Sequence, residues 1–216
     1  MKIGFLGYGN MATALSTRWA DEHDLMIGGR DAGKAAALAE RLGAASGSAD
    51  QVAAFCDAIV IATPHDAALP ALREIEADAL DGKVLIDINN PVDVEDGFLV
   101  KTDRFGPSLG EQIQSAFPDT AVVKAFNLCQ AAVWQMDPPV FDGRTLVTPI
   151  CGNDESAKTA VARLVEAVGS QPLDIGDIRQ SRKLEAVAAV VIQQLMTGGD
   201  PHTVLNLIRP EVKSIT

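Results

Sequence analysis

The chain has 216 residues, 47% of them hydrophobic, enough to bury one substantial core. Its formal net charge of −11 sets most of the surface against a polyanion, which excludes nucleic acid as an expected partner but leaves room for a local phosphate site. No apolar run approaches the ~18 residues of a membrane span, and Gly4, Gly7, Gly9 and Asn10 interrupt an opening stretch that otherwise resembles a secretory leader.

In chain order, Lys2–Leu6 reads as a buried strand and Asn10–Ala20 as a helix. Leu25–Ile27 is a second strand, and Asp31 caps a helix over AGKAAALAERL that Gly43 closes. Ala58–Ala62 is continuously apolar, as expected of a strand covered on both faces, and a helix runs from Pro64 toward Leu80. Val84–Ile88 is stopped by Asn89-Asn90-Pro91. A helix at Leu109–Ala116 precedes a strand at Ala121–Val123. Thr145–Ile150 is a sixth strand, with Pro149 suited to an edge or a strand end. Val161, Leu164, Val165 and Val168 fall on one helical face, Gln171–Asp174 adds a short strand, and Leu184 to Leu195 marks a closing helix. Asp200-Pro201 opens a final short helix.

Strands alternating with helices predict an α/β, doubly wound parallel sheet of Rossmann type: one domain over residues 1–216, with 181–216 as a helical extension. Ligands of such sheets bind beyond the carboxyl ends of the strands, so the residues just after each strand carry the functional reading.

After the first strand, Gly7-Tyr8-Gly9-Asn10-Met11-Ala12 is GxGxxA. Its glycines permit a tight turn and the approach of a pyrophosphate to backbone N–H groups at a helix start. After the second strand, Gly29 stands where a dinucleotide site that takes NAD usually places an acid for the ribose hydroxyls. Arg30 follows, with Lys34 one turn later. A guanidinium pairs with a 2′-phosphate that a carboxylate would repel, so NADP(H) is the expected ligand, with Asp31 as a competing charge. After the third strand, Ala62-Thr63-Pro64 suits the nicotinamide half, and His65 is a substrate-side candidate. Asn89 and Asn90 after the fourth strand are further candidates on that side. After the fifth, small Ala125 permits close approach, Asn127 can orient a carboxamide or heterocycle, and Lys124 reads as a surface lysine. Cys56, Cys129 and Cys151 are scattered, form no CxxC pair and read as reduced packing residues of a cytoplasmic protein. His23, His65 and His202 lack metal-ligand spacing, so no metal is expected.

GYGNM, GGRDAGK, LIDINNP, VVKAFN and ICGND, together with the turn at Pro172–Gly176 and SRKLE from Ser181, carry a resemblance over nearly the whole chain. The chain resembles the NADP-dependent oxidoreductases of coenzyme F420, a deazaflavin, and is similar to the cytosolic reductase domain of STEAP-type metalloreductases, where NADPH reduces a flavin. The resemblance implies that Tyr8 to Met11 wrap the pyrophosphate and that Gly29, Arg30 and Lys34 hold the 2′-phosphate. It further implies that Ala62 to Pro64 line the nicotinamide half, and that Asn127, as the catalytic residue, and Leu128 lie where nicotinamide meets the acceptor ring. It implies a homodimer. Some deazaflavin reductases carry His where this chain has Asn127, and Trp and His where it has His65 and Ala67, which brings the chain nearer to the flavin-reducing version at those points. The expected acceptor is therefore coenzyme F420, FMN or FAD. Two other readings stand beside it: a reductase of a small imine or ketone, which normally needs a larger helical C-terminal domain, and a non-catalytic NADP-binding sensor.

Overall fold

The computed structural model describes residues 1–96, 98–101 and 106–198, without the side chains of Ala77 and Lys101. Strand β1 (Lys2–Leu6), α1 (Asn10–Trp19), β2 (Asp24–Gly28) and α2 (Ala32–Leu42) lead into a short β3 (Ala45–Gly47) and α3 (Ala49–Phe55). They are followed by β4 (Ala58–Ile61), α4 (His65–Arg73), a 3-10 turn at Ala77–Leu80, β5 (Val84–Asp87) and a hairpin of β6 (Val92–Glu95) and β7 (Phe98–Lys101). Helix α5 (Leu109–Ala116), β8 (Ala121–Lys124), α6 (Ala131–Trp134) and a second hairpin, β9 (Val140–Phe141) with β10 (Arg144–Thr145), come next. The described chain closes with β11 (Val147–Gly152), α7 (Glu155–Ala167), β12 (Gln171–Asp174), a 3-10 turn at Ile178–Gln180 and α8 (Ser181–Met196).

The main sheet has eight strands in the order β12-β11-β8-β5-β4-β1-β2-β3. From β3 to β8 all neighbours are parallel. Successive residues of each strand serve opposite faces, as the period of two requires. Ile3, Phe5, Ala58, Val60, Ile86 and Val123 join α1, α2 and α7 in one core, and Leu6, Ile59, Ile61, Leu85 and Val122 join α3, α4 and α5 in the other. Helix α3 seats on the sheet through Val52, which fills the space where a Cβ on Gly4 or Gly28 would stand.

The doubly wound, parallel α/β sheet expected from the sequence is present, with one antiparallel step at its end. Strand β11 runs antiparallel to β8, pairing Cys151 with Lys124 and Gly152 with Val123, and β12 runs parallel to β11. The link from β8 to β11 holds only the four-residue α6 and a small hairpin, not a full crossover helix, so the chain re-enters the sheet from the edge it left. Because the overlap with β8 involves only those two residues, Pro149 pairs with β12 alone; it lies inside β11 rather than at its end, but at a locally unpaired edge. The helix that begins near Pro64 ends at Arg73 rather than Leu80; the backbone extends at Glu76 before the separate 3-10 turn. The helix expected at Asp200-Pro201 lies outside the described residues.

Candidate functional site

Because β2, β1, β4, β5 and β8 are parallel neighbours, their carboxyl ends lie along one edge of the sheet, and the loops singled out by sequence meet there. Gly7 is the keystone. It has φ +126, donates its N–H to Gly28 O at 2.8 Å, and a Cβ there would stand 2.2 Å from Ala62 O. No other residue type fits at the point where β1, β2 and β4 release the chain.

Gly9 is a glycine for a different reason. Its φ of −78 and ψ of −171 suit any residue, and a Cβ there meets nothing within 4 Å. The fold does not need this glycine, and the space beside its backbone is open. Helix α1 begins at that open space with no side-chain cap and no acid in its first turn, whereas α2, α3, α5 and α7 are capped by Asp31, Ser48, Ser108 and Asp154. Its first N–H groups and the positive end of the helix dipole are thus presented to an anion by Gly9, Asn10 and Met11.

The aromatic ring of Tyr8 lies over Gly29: a Cβ at 29 would stand 2.7 Å from Tyr8 Cε1. A larger residue at 29 would have to displace the Tyr8 ring. Arg30 beside it is exposed, and no hydrogen bond or ion pair engages it among the described residues. Lys34 is part of a local pair. Asp31 caps α2 by accepting from Lys34 N at 3.0 Å, and its Oδ2 lies 3.7 Å from Lys34 Nζ. The Asp31 carboxyl is held below its usual range chiefly by the Lys34 backbone N–H and then by the Lys34 charge. Arg30 is the uncommitted cation, and Lys34 is shared with Asp31.

Beyond β4, Ala62 and Pro64 flank Thr63, whose Oγ1 is buried and has no partner among the described residues. His65 begins α4 and lies 3.8 Å through Nε2 from Asp93 Oδ1 of β6, which places the loop after β4 beside the first hairpin.

The ends of β5 and β8 are joined by amides. Asn90 Nδ2 donates to the Asn127 carbonyl at 2.8 Å, and Asn127 Nδ2 returns a bond to Asn90 Oδ1 at 2.9 Å. Asn127 Oδ1 accepts no hydrogen bond among the described residues, and Leu128 follows it, half-buried. Asn89 has a structural duty: its Nδ2 donates to Ile61 O at 3.0 Å and to Asp87 Oδ1 at 3.2 Å. The turn that delivers Asn127 is strained. Phe126 has φ +59, which costs a bulky residue about 1–2 kcal/mol. The conformation sends its ring into the core, edge-on to Trp19 at 5.6 Å and to Trp134 at 5.2 Å, and the burial offsets the strain.

Lys124 corrects the sequence reading. It is not on the surface but fully buried, with Nζ bonded to Asp87 Oδ2 at 2.9 Å, Glu185 Oε1 at 3.1 Å and the Asn89 carbonyl. Burial opposes its charge, but the Asp87 and Glu185 carboxylates outweigh that and raise its pKa. Sequence reasoning missed this triad, although a signal was present: Lys124 and Asp87 each interrupt a run of buried apolar residues, and an ion in such a run needs a buried partner. Burial pushes the thiols up as well, to about 11 for Cys56 and Cys129 and about 12 for Cys151, so they are un-ionised at neutral pH, in keeping with packing roles.

The observations at this edge fit a dinucleotide: open space at Gly9, a bare helix start, a free guanidinium past β2 and an orphan hydroxyl at Thr63. Fold and site together define a Rossmann-type nucleotide-binding protein of the NADP class.

Residues 2–91 match the family described as NADP oxidoreductase coenzyme F420-dependent. The chain is 30% identical over 208 residues to the F420-dependent NADP reductase of Methanocaldococcus jannaschii, which covers 89% of this chain and 91% of that protein. It is 32% identical over 189 residues to rat metalloreductase STEAP3, 86% of this chain but only 36% of that one. A crystal structure of a putative F420-dependent NADP reductase from Arthrobacter sp. FB24 superimposes with a TM-score of 0.83 at 31% identity, covering 92% and 96% of the two chains. An imine reductase from Aspergillus terreus, at 19% identity and TM-score 0.67, shares the fold, and this chain spans 63% of it. The chain therefore belongs to the F420-dependent NADP oxidoreductase family and is an NADP-dependent oxidoreductase. Among the described residues, no helix is long and apolar enough to cross a membrane, and no group of three potential ligands could hold a metal ion.

Proposed function

We propose that the protein exchanges a hydride between NADP(H) and a deazaflavin of the coenzyme F420 type, with free FMN or FAD as the other acceptor its crevice suits. The observation that carries this reading is the pairing of two halves at one sheet edge. An anion-ready α1 terminus with Arg30 lies at the β1–β2 end, and the Asn90–Asn127 amide pair closes the β5–β8 end. Similarity over 91% of a protein named F420-dependent NADP reductase supports the same acceptor class.

In this reading Gly7, Tyr8, Gly9, Asn10 and Met11 hold the pyrophosphate, and Gly29, Arg30 and Lys34 hold the 2′-phosphate. Ala62, Thr63 and Pro64 line the nicotinamide ribose. The free Asn127 Oδ1 accepts a carboxamide N–H and fixes the ring plane, while Leu128 excludes water beside it. His65 and Asn90 border the acceptor side, and Asn89 holds the turn between them. When bound, NADPH would supply a hydride from nicotinamide C4 to C5 of the deazaflavin (N5 of a flavin), with the accompanying proton taken from water. The protein's contribution is to hold two rings in contact in a dry cleft, which needs no ionised nucleophile. We place the reaction in the cytoplasm. A homodimer is proposed on the exposed apolar side chains Val94 and Phe98 of the first hairpin and Val190 and Met196 of α8; light scattering after gel filtration reads its mass directly.

The test is an anaerobic acceptor panel: NADPH, then NADH, with coenzyme F420, FMN and FAD in turn. Bleaching of at least one acceptor by NADPH, and much less by NADH, is expected. Tight NADPH binding with no acceptor reduced would overturn the reading and leave a sensor.

A further inference from the structure

We propose that Lys124, Asp87 and Glu185 form a positioning unit through which helix α8 sets the geometry of the nicotinamide side of the crevice. The inference rests on the NADP(H) half of the reading above and not on its acceptor.

The three side chains belong to β8, β5 and α8, and all are fully buried. Each of the three Nζ hydrogens of Lys124 has its own acceptor: Asp87 Oδ2, Glu185 Oε1 and the Asn89 carbonyl. The other oxygen of Asp87 accepts from Asn89 N at 2.9 Å and from Asn89 Nδ2 at 3.2 Å. Asn89 is therefore gripped at its N–H, its carbonyl and its side chain, and its Nδ2 reaches across to Ile61 O, the residue before Ala62. The next residue is Asn90, which makes the reciprocal amide pair with Asn127. A short chain of bonds thus runs from α8 to the amides at the crevice. Glu185 also anchors the far side by accepting from Leu109 N, at the start of α5, at 3.2 Å.

Burying three ions is a poor way to gain stability, since well-packed apolar residues often do as well; the role proposed for this cluster is to fix one arrangement. Here the arrangement fixed is that of a turn lined by two candidate ligand-facing amides. All three side chains are sealed from solvent, so their effect on a ligand is exerted through Asn89 and Asn90.

The experiment compares NADPH with 2′-phospho-ADP-ribose, which has the same phosphates and lacks the nicotinamide. Glu185→Leu is expected to weaken NADPH about fivefold and to leave the truncated nucleotide within about twofold. Glu185→Gln, whose amide oxygen still accepts from Lys124, is expected to restore most of the loss. In an Asn90→Ala background Glu185→Leu is expected to have little further effect, because its path to the ligand is already cut. Equal weakening of both nucleotides, no change in their ratio, or independent effects in the double variant would each overturn the coupling.

If Glu185→Leu does not fold, the wild-type protein carries the test. NADPH, but not 2′-phospho-ADP-ribose, is expected to slow amide exchange around Glu185 and Leu109, because coupling between two sites is reciprocal. Identical protection by the two nucleotides overturns the proposal. Failure of the wild type to bind either one overturns the nucleotide reading itself, a different and separable result.

Discussion

Gly9→Ala separates ligand from fold. The backbone at Gly9 sits in an extended conformation open to any residue, and an added methyl meets nothing within 4 Å. Replacing glycine where the backbone already suits alanine stabilises by about 0.4–1 kcal/mol through the unfolded chain. For a domain of this size that is a rise of about 1–4 °C in Tm. The same methyl enters the open space beside the start of α1, where the phosphate of the proposed ligand would lie. Loss of one charge-assisted hydrogen bond there costs about 1.5–3 kcal/mol, or roughly a 10- to 150-fold rise in the NADPH Kd. The assay is a melting curve beside a nucleotide fluorescence titration on the same sample. Gly7→Ala is the contrast, because its Cβ would stand 2.2 Å from Ala62 O at φ +126, so it is expected to lose stability first. A Gly9→Ala protein that melts at least as high as wild type but binds NADPH equally well would refute the assignment of the α1 terminus to phosphate.

Arg30→Ala is expected to weaken NADPH about 10- to 100-fold by removing one charge-assisted, bidentate-capable partner, with NADH unchanged; equal loss for both nucleotides would place Arg30 elsewhere. Asp31→Asn keeps a capping oxygen for Lys34 N but frees the Lys34 ammonium, so NADPH affinity is expected to rise about two- to fivefold at low salt and to converge with wild type at high salt. Glu111 gives a pH signature. Burial raises its pKa, but the Arg182 hydrogen bond and the Ser108 N–H and hydroxyl outweigh that and leave it lowered. A lowered folded pKa contributes stability that is present above the unfolded glutamate value of about 4.3 and is lost as pH falls through the folded one. Melting temperatures of wild type are therefore expected to decline more steeply below about pH 4.5 than those of Glu111→Gln, and parallel curves would contradict the assignment.

The parallel half of the sheet was legible because its strands are continuous apolar runs and its loops carry glycine, Asx or proline stops. The local shape after β1 and β2 was legible too: GxGxxA foretold the tight turn at Gly7 and the open backbone at Gly9, and Arg30 stands exposed where an acid would be expected. Both hairpins were missed although Asp96-Gly97 and Asp142-Gly143 stand between their strands in the sequence; strands of two to four residues are too short to stand out as buried runs, and the alternation of Val92-Asp93-Val94-Glu95 was overlooked. Helix α3 was missed for its seven residues, yet Ser48 and Gln51 form a capping box that announced it. The buried triad was hidden for another reason: Asp87, Lys124 and Glu185 are brought together by tertiary packing, and nothing within a few residues of any one of them names the other two. The antiparallel β11 was hidden likewise, because strand direction depends on how far the intervening chain reaches and not on the strand's own residues.

The most direct measurement follows the hydride. NADPH carrying deuterium on one face of nicotinamide C4 is mixed anaerobically with coenzyme F420 and a catalytic amount of protein, and the reduced deazaflavin is examined by mass spectrometry and NMR. Rings held in one fixed arrangement by Asn127 and the Asn90 turn predict stereospecific transfer, with the label from one face only arriving at C5. Label lost to water, label delivered equally from both faces, or an unreduced acceptor beside tightly bound NADPH would contradict direct exchange between two clamped rings.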